Sequence, residues 1–290
     1  MKPILKKSIG ITAKFFSSLK TVMQHPMGCI GVLLVGLFLF SAIFAPIISP
    51  YNPSDFVGDS LAGPSLSHPI GTDELGRDTF CRVIYGGRIE LVLAIAAVSI
   101  SLFLGLVLGM IAGYGPVWLD NCMVLVFDTI RSFPSIMLSL AILALTEPSV
   151  IIIGIVFIIN ATPGYGRIAR AQTLSLKNKE FILAEQSLGA KPMRVILHHL
   201  LPNIIGPLLI LCAMDIPVVV TVEAGLSFLG LGVLPPTPTW GTILNEGFSV
   251  IRESPWPVIA GGVPLILTTL GFTFLGETLR DLFDPKLKGK

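Results

Sequence analysis

Of 290 residues, 52% are hydrophobic and only 13% carry charge, against about 25% charged in average soluble domains. Twenty basic and 18 acidic side chains cannot easily cover a soluble protein of this length, and the mean hydropathy of +0.82 agrees. A disordered segment, a nucleic-acid-binding domain and a typical cytosolic enzyme are excluded, and the composition reads as an integral membrane protein.

The formal net charge of +2 conceals strong segregation. Residues 27–54, 91–119 and 254–276 contain no Asp, Glu, Lys or Arg. A bilayer-spanning helix needs roughly 20 mostly apolar residues, so each stretch is long enough to span. Together with 132–146, 148–166 and 203–230, they predict six transmembrane helices near 28–48, 90–113, 118–144, 148–166, 203–231 and 256–277. The first has a basic flank, but its apolar run exceeds the roughly 7–15 residues of a signal peptide and lacks a clear cleavage site. It is read as a retained helix.

In chain order, this gives a cytoplasmic tail over 1–27, the first helix over 28–48, an exported loop over 49–89, a five-helix core over 90–277 and a cytoplasmic tail over 278–290. Basic residues near helix ends remain cytoplasmic. Fifteen of the 20 fall in the N-terminal tail, the 161–199 segment and the C-terminal tail. One topology accommodates all three: six spans with both ends inside. The fold class is therefore all-α, in a multi-pass membrane protein surrounded by lipid.

Gly105 and Gly109 are four apart in the second span, where small residues let helix backbones approach closely. Packing within the chain is the preferred reading, ahead of a dimer interface. In the third span, Asp128 and Arg131 are three apart and could pair across one helical face. In the fifth, Asp215 and Glu223 are separated by about 12 Å at helical rise and lie near one face, with Ser227 a turn further on. Intramembrane charge is costly and marks function by default, so these three are candidate lining for a translocation path. Trp240 and Trp256 are read as membrane-interface anchors.

The exported loop contains Gly71, Asp73, Gly76, Arg77, Asp78 and Arg82. Their charges suit a self-packed cap or contact with a soluble partner, and His68–Arg88 is a candidate helix leading into the second span. The four cysteines and four histidines show no metal or redox spacing. His198-His199 is read as incidental.

The loop over 167–202 is the most informative segment. Residues 180–188 favour helix, and Gly189 supplies a permissive C-terminus. Lys191-Pro192 suits the start of a second helix, with Pro202 ending it. Two short helices joined by a tight turn form a shape suited to a partner's groove.

This segment resembles the cytoplasmic "EAA" loop of ABC importer permeases, with Gly189 and Pro202 at the family's glycine-to-proline spacing. Where that family usually has Glu-Ala-Ala, Leu183-Ala184-Glu185 stand here, so the acid is displaced by two positions. His68-Pro-Ile-Gly-Thr-Asp-Glu-Leu-Gly-Arg-Asp78 resembles the exported-loop signature of peptide and nickel permeases. Glu223-Ala-Gly-Leu-Ser-Phe-Leu-Gly-Leu-Gly232 resembles their second signature, and Leu279-Arg-Asp-Leu-Phe-Asp-Pro285 their usual ending. The chain is similar to the smaller, C-type permease of dipeptide, oligopeptide and nickel importers.

That resemblance implies the type I importer permease fold, a place in a bacterial inner membrane and a heterodimer with a second permease. It also implies two ATPase subunits and an extracytoplasmic substrate-binding protein. Ala184, Glu185, Gly189, Ala190, Lys191, Arg194 and Pro202 are the expected ATPase-coupling residues. No phosphate-loop motif is present, so the chain is expected to bind no cofactor, with ATP and magnesium used by the partner subunits. No catalytic residues, metal ligands or nucleic-acid contacts are expected. Peptides are the first choice of cargo, followed by nickel or a metal chelate and then glutathione. The rival reading, an ion-gradient-driven carrier, predicts matching internal repeats, and none is seen.

Overall fold

A computed structural model describes residues 21–147 and 149–283. The basic residues Lys2, Lys6, Lys7, Lys14, Lys20, Lys286, Lys288 and Lys290, the ending at Asp284-Pro285 and the expected helix start at Pro148 lie outside the described residues. The helices are α1 (Pro26–Ile43), α2 (Ala45–Ile48), α3 (Thr79–Tyr114), α4 (Val117–Arg131), α5 (Ser135–Leu143) and α6 (Val150–Lys177). They continue as α7 (Glu180–Ser187), α8 (Pro192–Val195), a π-helical turn (Ile196–Leu200), α9 (Leu201–Phe228), α10 (Trp240–Ser249) and α11 (Trp256–Phe283). No strand is present among the described residues, where Phe56–Arg77 and Thr72–Asp78 form only isolated bridges.

Among the described residues, five helical stretches are long and apolar enough to cross a membrane: α1, α3, α6, the run from α8 through α9, and α11. The predicted third span is broken. α4 and α5 meet at 82°, so the pair counts as one bent span or a re-entrant segment. Pro134 is the physical cause, because proline disfavours helical geometry at the residue before it, here Phe133.

Three other boundaries differ from expectation. α3 begins at Thr79, so only the last ten residues of the expected His68–Arg88 helix are helical, as the first turns of α3, and residues 68–78 are irregular. Asp78 starts α3 by accepting the Cys81 N–H at 2.7 Å. α6 runs on to Lys177, whose Nζ donates to the Gly113 carbonyl at 2.9 Å and ties α6 to the end of α3. Pro202 does not end a helix. Proline has no N–H for the carbonyl one turn back, and the π turn directly before Leu201 lets the helix continue. Asn203 Nδ2 donates to the His199 carbonyl at 2.6 Å beside that widened turn.

The core gathers α3, α6 and α9 around Leu93, Val98, Leu106, Ile153, Val156, Tyr165, Leu208 and Val220. α3 and α6 form the most extensive helix pair. Gly105, Gly109 and Gly113 make that approach, where an added Cβ would strike Tyr165, Gly166, Ala169 or Thr173. The glycine spacing thus serves packing within the chain. α1 lies against α11, with Gly31 at the Leu275 backbone.

Trp240 is not an interface anchor. It is 1% exposed, and its Nε1–H donates to the Val83 carbonyl at 3.0 Å while Phe38 packs edge-on at 5.7 Å. Gly87 leaves the notch that admits its ring. Trp256, 39% exposed, keeps a surface position.

Candidate functional site

Three regions carry the polar chemistry: a groove beside the bent helix pair, the turn between α7 and α8, and the cap formed before α3.

The groove encloses about 550 Å³ between α5, α6 and α9. Arg131, Ser139, Asn160, Tyr165 and Asp215 supply its polar lining, and Phe157, Leu211, Val218 and Val222 contribute apolar walls. Tyr165 OH donates to Asp215 Oδ2 at 2.6 Å, which leaves Oδ1 without a partner among the described residues. Asn160 Nδ2 donates to the Val156 carbonyl at 2.9 Å and to Ser139 Oγ at 3.2 Å. This holds the amide against the groove with its Oδ1 unpaired.

The expected Asp128–Arg131 pair does not form. Asp128 instead accepts from Arg167 on α6, and Asp120 is bound by both Arg170 Nε and Nη2. α4 therefore docks on α6 through its carboxylates, while Arg131 turns the other way. Its Nη1 packs against Gly164, 3.1 Å from where a Cβ would stand. Among the described residues it makes no ion pair within 4 Å.

Asp215 is the one member of the predicted path that lines this groove. Glu223 and Ser227 are buried inside the packing, 1% and 2% exposed. Glu223 Oε1 accepts the Ser227 hydroxyl at 2.6 Å, and Ser227 Oγ accepts the Val233 N–H at 3.0 Å. The 223–232 signature is thus the capped end of α9, with Leu231 N–H and Gly230 N–H closing onto the Leu226 and Ser227 carbonyls. Glu223 lies against Glu90, a second buried acid on α3. Eight residues at 100° each turn a side chain about 80° away, enough to move Glu223 from the groove wall into the core.

At the α7–α8 turn, Gly189 adopts φ +83°, a region L side chains enter only at a cost. Ala190 N–H reaches the Glu185 carbonyl at 3.2 Å and Gly189 N–H the Gln186 carbonyl at 2.9 Å. These two bonds satisfy the last carbonyls of α7 and reverse the chain. The displaced acid has a role here: Arg194 Nε donates to Glu185 Oε1 at 3.0 Å, and His199 Nε2 lies 3.6 Å from the same oxygen. Ile182, Val195 and Leu200 are wholly buried and anchor the element. Ala184 and Lys191 are exposed, as are Phe181, Leu183, Leu188 and Met193. Pro202 lies at the start of α9, also exposed. The result is a rigid two-helix protrusion with an apolar outer surface.

In the cap, Asp73 accepts Leu75 N–H at 2.9 Å, Arg77 N–H at 3.0 Å and Arg77 Nε at 2.6 Å, and it also binds Arg82. Glu246 on α10 completes the cluster, accepting from Arg77 Nη2 at 3.0 Å and from Arg82. Asp78 Oδ2 meets His68 Nδ1 at 2.8 Å. Gly71 and Gly76 occupy the turns, with φ of +80° and +74°. Asp73, Arg77, Asp78 and Arg82 are all buried, so the signature folds the cap onto itself. Glu246, Glu90, Tyr165 and Asn160 were absent from the sequence-derived candidates. None carries a local motif, and only Glu90, an acid beside a long apolar run, was visible as unusual.

Two family descriptions match the sequence. Residues 105–289 match the binding-protein-dependent transport system inner membrane component, and residues 17–64 match the N-terminal transmembrane domain of oligopeptide transport permease C. The chain belongs to this permease family. An ion-gradient-driven carrier is thereby set aside, and the permease is a multi-pass inner-membrane subunit of ABC importers.

The permease is 38% identical over 274 residues to the dipeptide transport system permease protein DppC of Alkalihalophilus pseudofirmus, covering 93% of this chain and 89% of the relative. It is 33% identical to the oligopeptide transport system permease protein OppC of Bacillus subtilis, over 98% and 93% of the two chains. The glutathione transport system permease protein GsiD of Escherichia coli is 38% identical, over 92% and 88%.

Proposed function

We propose that the chain is one of two permeases in an ATP-driven importer of di- and oligopeptides. This reading rests on similarity along 93% of the chain to a dipeptide transport permease. The second permease faces the groove and completes the translocation path. A soluble binding protein delivers cargo from outside, and two ATPase subunits bind ATP and magnesium, while this chain holds no cofactor. Both ends of the chain and the α7–α8 protrusion are cytoplasmic.

The protrusion carries the motion. Phe181, Leu183, Leu188 and Met193 present apolar surface to the ATPase. Ile182 and Val195 fix the element to the core, and the helix running from Pro192 to Phe228 joins it to the groove. A displacement at the Gly189 turn is therefore transmitted along α9 to Asp215 without covalent chemistry in this chain.

The test is uptake into proteoliposomes holding the complete transporter and its binding protein. Labelled di- and tripeptides should accumulate only with ATP, and omission of the ATPase subunits should abolish accumulation. Uptake of no peptide, with robust uptake of nickel or its chelates, would refute the peptide reading. Similarity to the glutathione permease of Escherichia coli favours a narrower second reading, in which glutathione competes with the peptides for uptake.

A further inference from the structure

Asp215 and Arg131 line the same groove with opposite charge, and neither is neutralised by an ion pair among the described residues. Asp215 has a partner for one oxygen only, the Tyr165 hydroxyl, which orients the carboxyl group and leaves Oδ1 open to the groove among the described residues. Asn160, fixed by its two donated bonds, adds a second acceptor on the same wall. Arg131, the last residue of α4, lines the groove where α4 breaks into α5. The other two arginines of this face, Arg167 and Arg170, are both occupied by α4 carboxylates. Gly164 leaves the space into which the Arg131 guanidinium folds.

Arg131 is exposed and Asp215 half-buried, so both charges stay open to a solute in a groove whose remaining walls are largely apolar. A solute with an ammonium at one end and a carboxylate at the other is the chemistry that compensates both. We propose that this groove is a dipolar subsite, in which Asp215 and Asn160 receive the ammonium of a zwitterionic solute and Arg131 receives its carboxylate. The inference rests on the peptide reading above and adds to it a polarity: the solute lies with its amino end against α9 and its carboxyl end against the α4–α5 break. Side chains between the two ends face the second permease, so sequence variety there is tolerated.

The test uses the assembled transporter in proteoliposomes, with a tripeptide and its C-terminal amide, both confirmed to load the binding protein. Working at saturating loaded binding protein separates passage through the permease from capture. Arg131→Gln should lower the maximal uptake of the free acid about tenfold, to the level of the amide, and erase the difference between them. Arg131→Lys should restore most of it. Asp215→Asn should do the same for a free against an N-acetylated peptide, with Asp215→Glu retaining transport. Assembly of every variant is checked by size-exclusion chromatography, and the conservative pair keeps the comparison meaningful if a neutral variant assembles poorly. Equal slowing of blocked and free peptides, or no slowing at all, overturns the subsite alone. A wild-type transporter that moves no peptide overturns the peptide reading and the subsite with it.

Discussion

Gly109 is where α3 and α6 approach most closely, and replacing it tests the basis of the whole helix packing. In Gly109→Ala the new Cβ would stand 2.7 Å from Ala169 Cβ and 3.0 Å from Arg170 N, and closer still to the Gly166 carbonyl. Carbon atoms sit comfortably at about 3.5–4.0 Å, so the helices must separate by about 1 Å. A gap of that size forfeits roughly a quarter to a half of each contact worth about 0.1–0.2 kcal/mol. Over roughly 40 atom pairs, the number one buried leucine makes, the loss is about 2 kcal/mol. Alanine's better helix propensity returns up to about 1 kcal/mol, for a net destabilisation of about 1 kcal/mol. That corresponds to a fall in Tm of about 2–4 °C. Gly109→Leu has no room to relax and should exceed about 3 kcal/mol. Gly36→Ala is the control: nothing lies within 4 Å of its Cβ, so it gains the propensity term alone, up to about 1 kcal/mol, and should melt about 2–4 °C above the wild type. The assay is thermal unfolding of the purified assembly in detergent, followed by circular dichroism. A Gly109→Ala protein as stable as Gly36→Ala would refute the close-packing argument.

The other regions give equally direct tests. Asp73→Asn weakens the charge partnership of two buried guanidinium groups; breaking such a pair costs about 3–5 kcal/mol, and rapid proteolysis of the cap should report it. Glu246→Gln, at a site one-quarter exposed, should have a smaller effect in the same assay. Glu90 lies against Glu223 and the Trp240–Gly241 backbone at the start of α10, but among the described residues neither of its oxygens, nor Glu223 Oε2, has a well-formed hydrogen bond. Glu90→Gln introduces an amide donor and should hold or raise Tm, whereas Glu223→Ala removes the Ser227 acceptor and should lower stability by about 1–3 kcal/mol. Gly189→Ala meets no atom within 4 Å, so its cost is conformational, about 1–2 kcal/mol. It should reduce peptide moved per ATP hydrolysed more than it reduces assembly, as simultaneous uptake and phosphate-release measurements would reveal.

The apolar runs made the spans legible because a membrane imposes a length on them. Their ends were less legible, since side-chain pairing, and not hydropathy, determines where α3 and α6 stop. Arg82 and Glu90 belong to α3 although a charge-free window excludes them, and Arg170 and Lys177 extend α6 by binding Asp120 and the Gly113 carbonyl. Pro134 was a visible signal for the break in the third span, outweighed by the apolar residues on both sides. The Gly189 turn was readable because its geometry is local. The groove was not, because Arg131, Asn160 and Asp215 come from three helices and their orientation depends on which acids claim Arg167 and Arg170. Trp240 illustrates the same limit: its ring suits a bilayer surface, but the notch at Gly87 is specified far away in the chain.

The Arg82–Glu246 contact has a consequence for biogenesis. Its two ends are 164 residues apart, and ribosomes add roughly 5–20 residues per second. For about 8–33 seconds the nascent cap therefore holds Asp73 with two arginines, one positive charge in excess. The acid that balances it arrives only with α10, after every preceding span has been synthesised. Completion of the cap therefore waits for α10, and a chain truncated before Glu246 should display an open, protease-accessible Asp73–Arg82 segment.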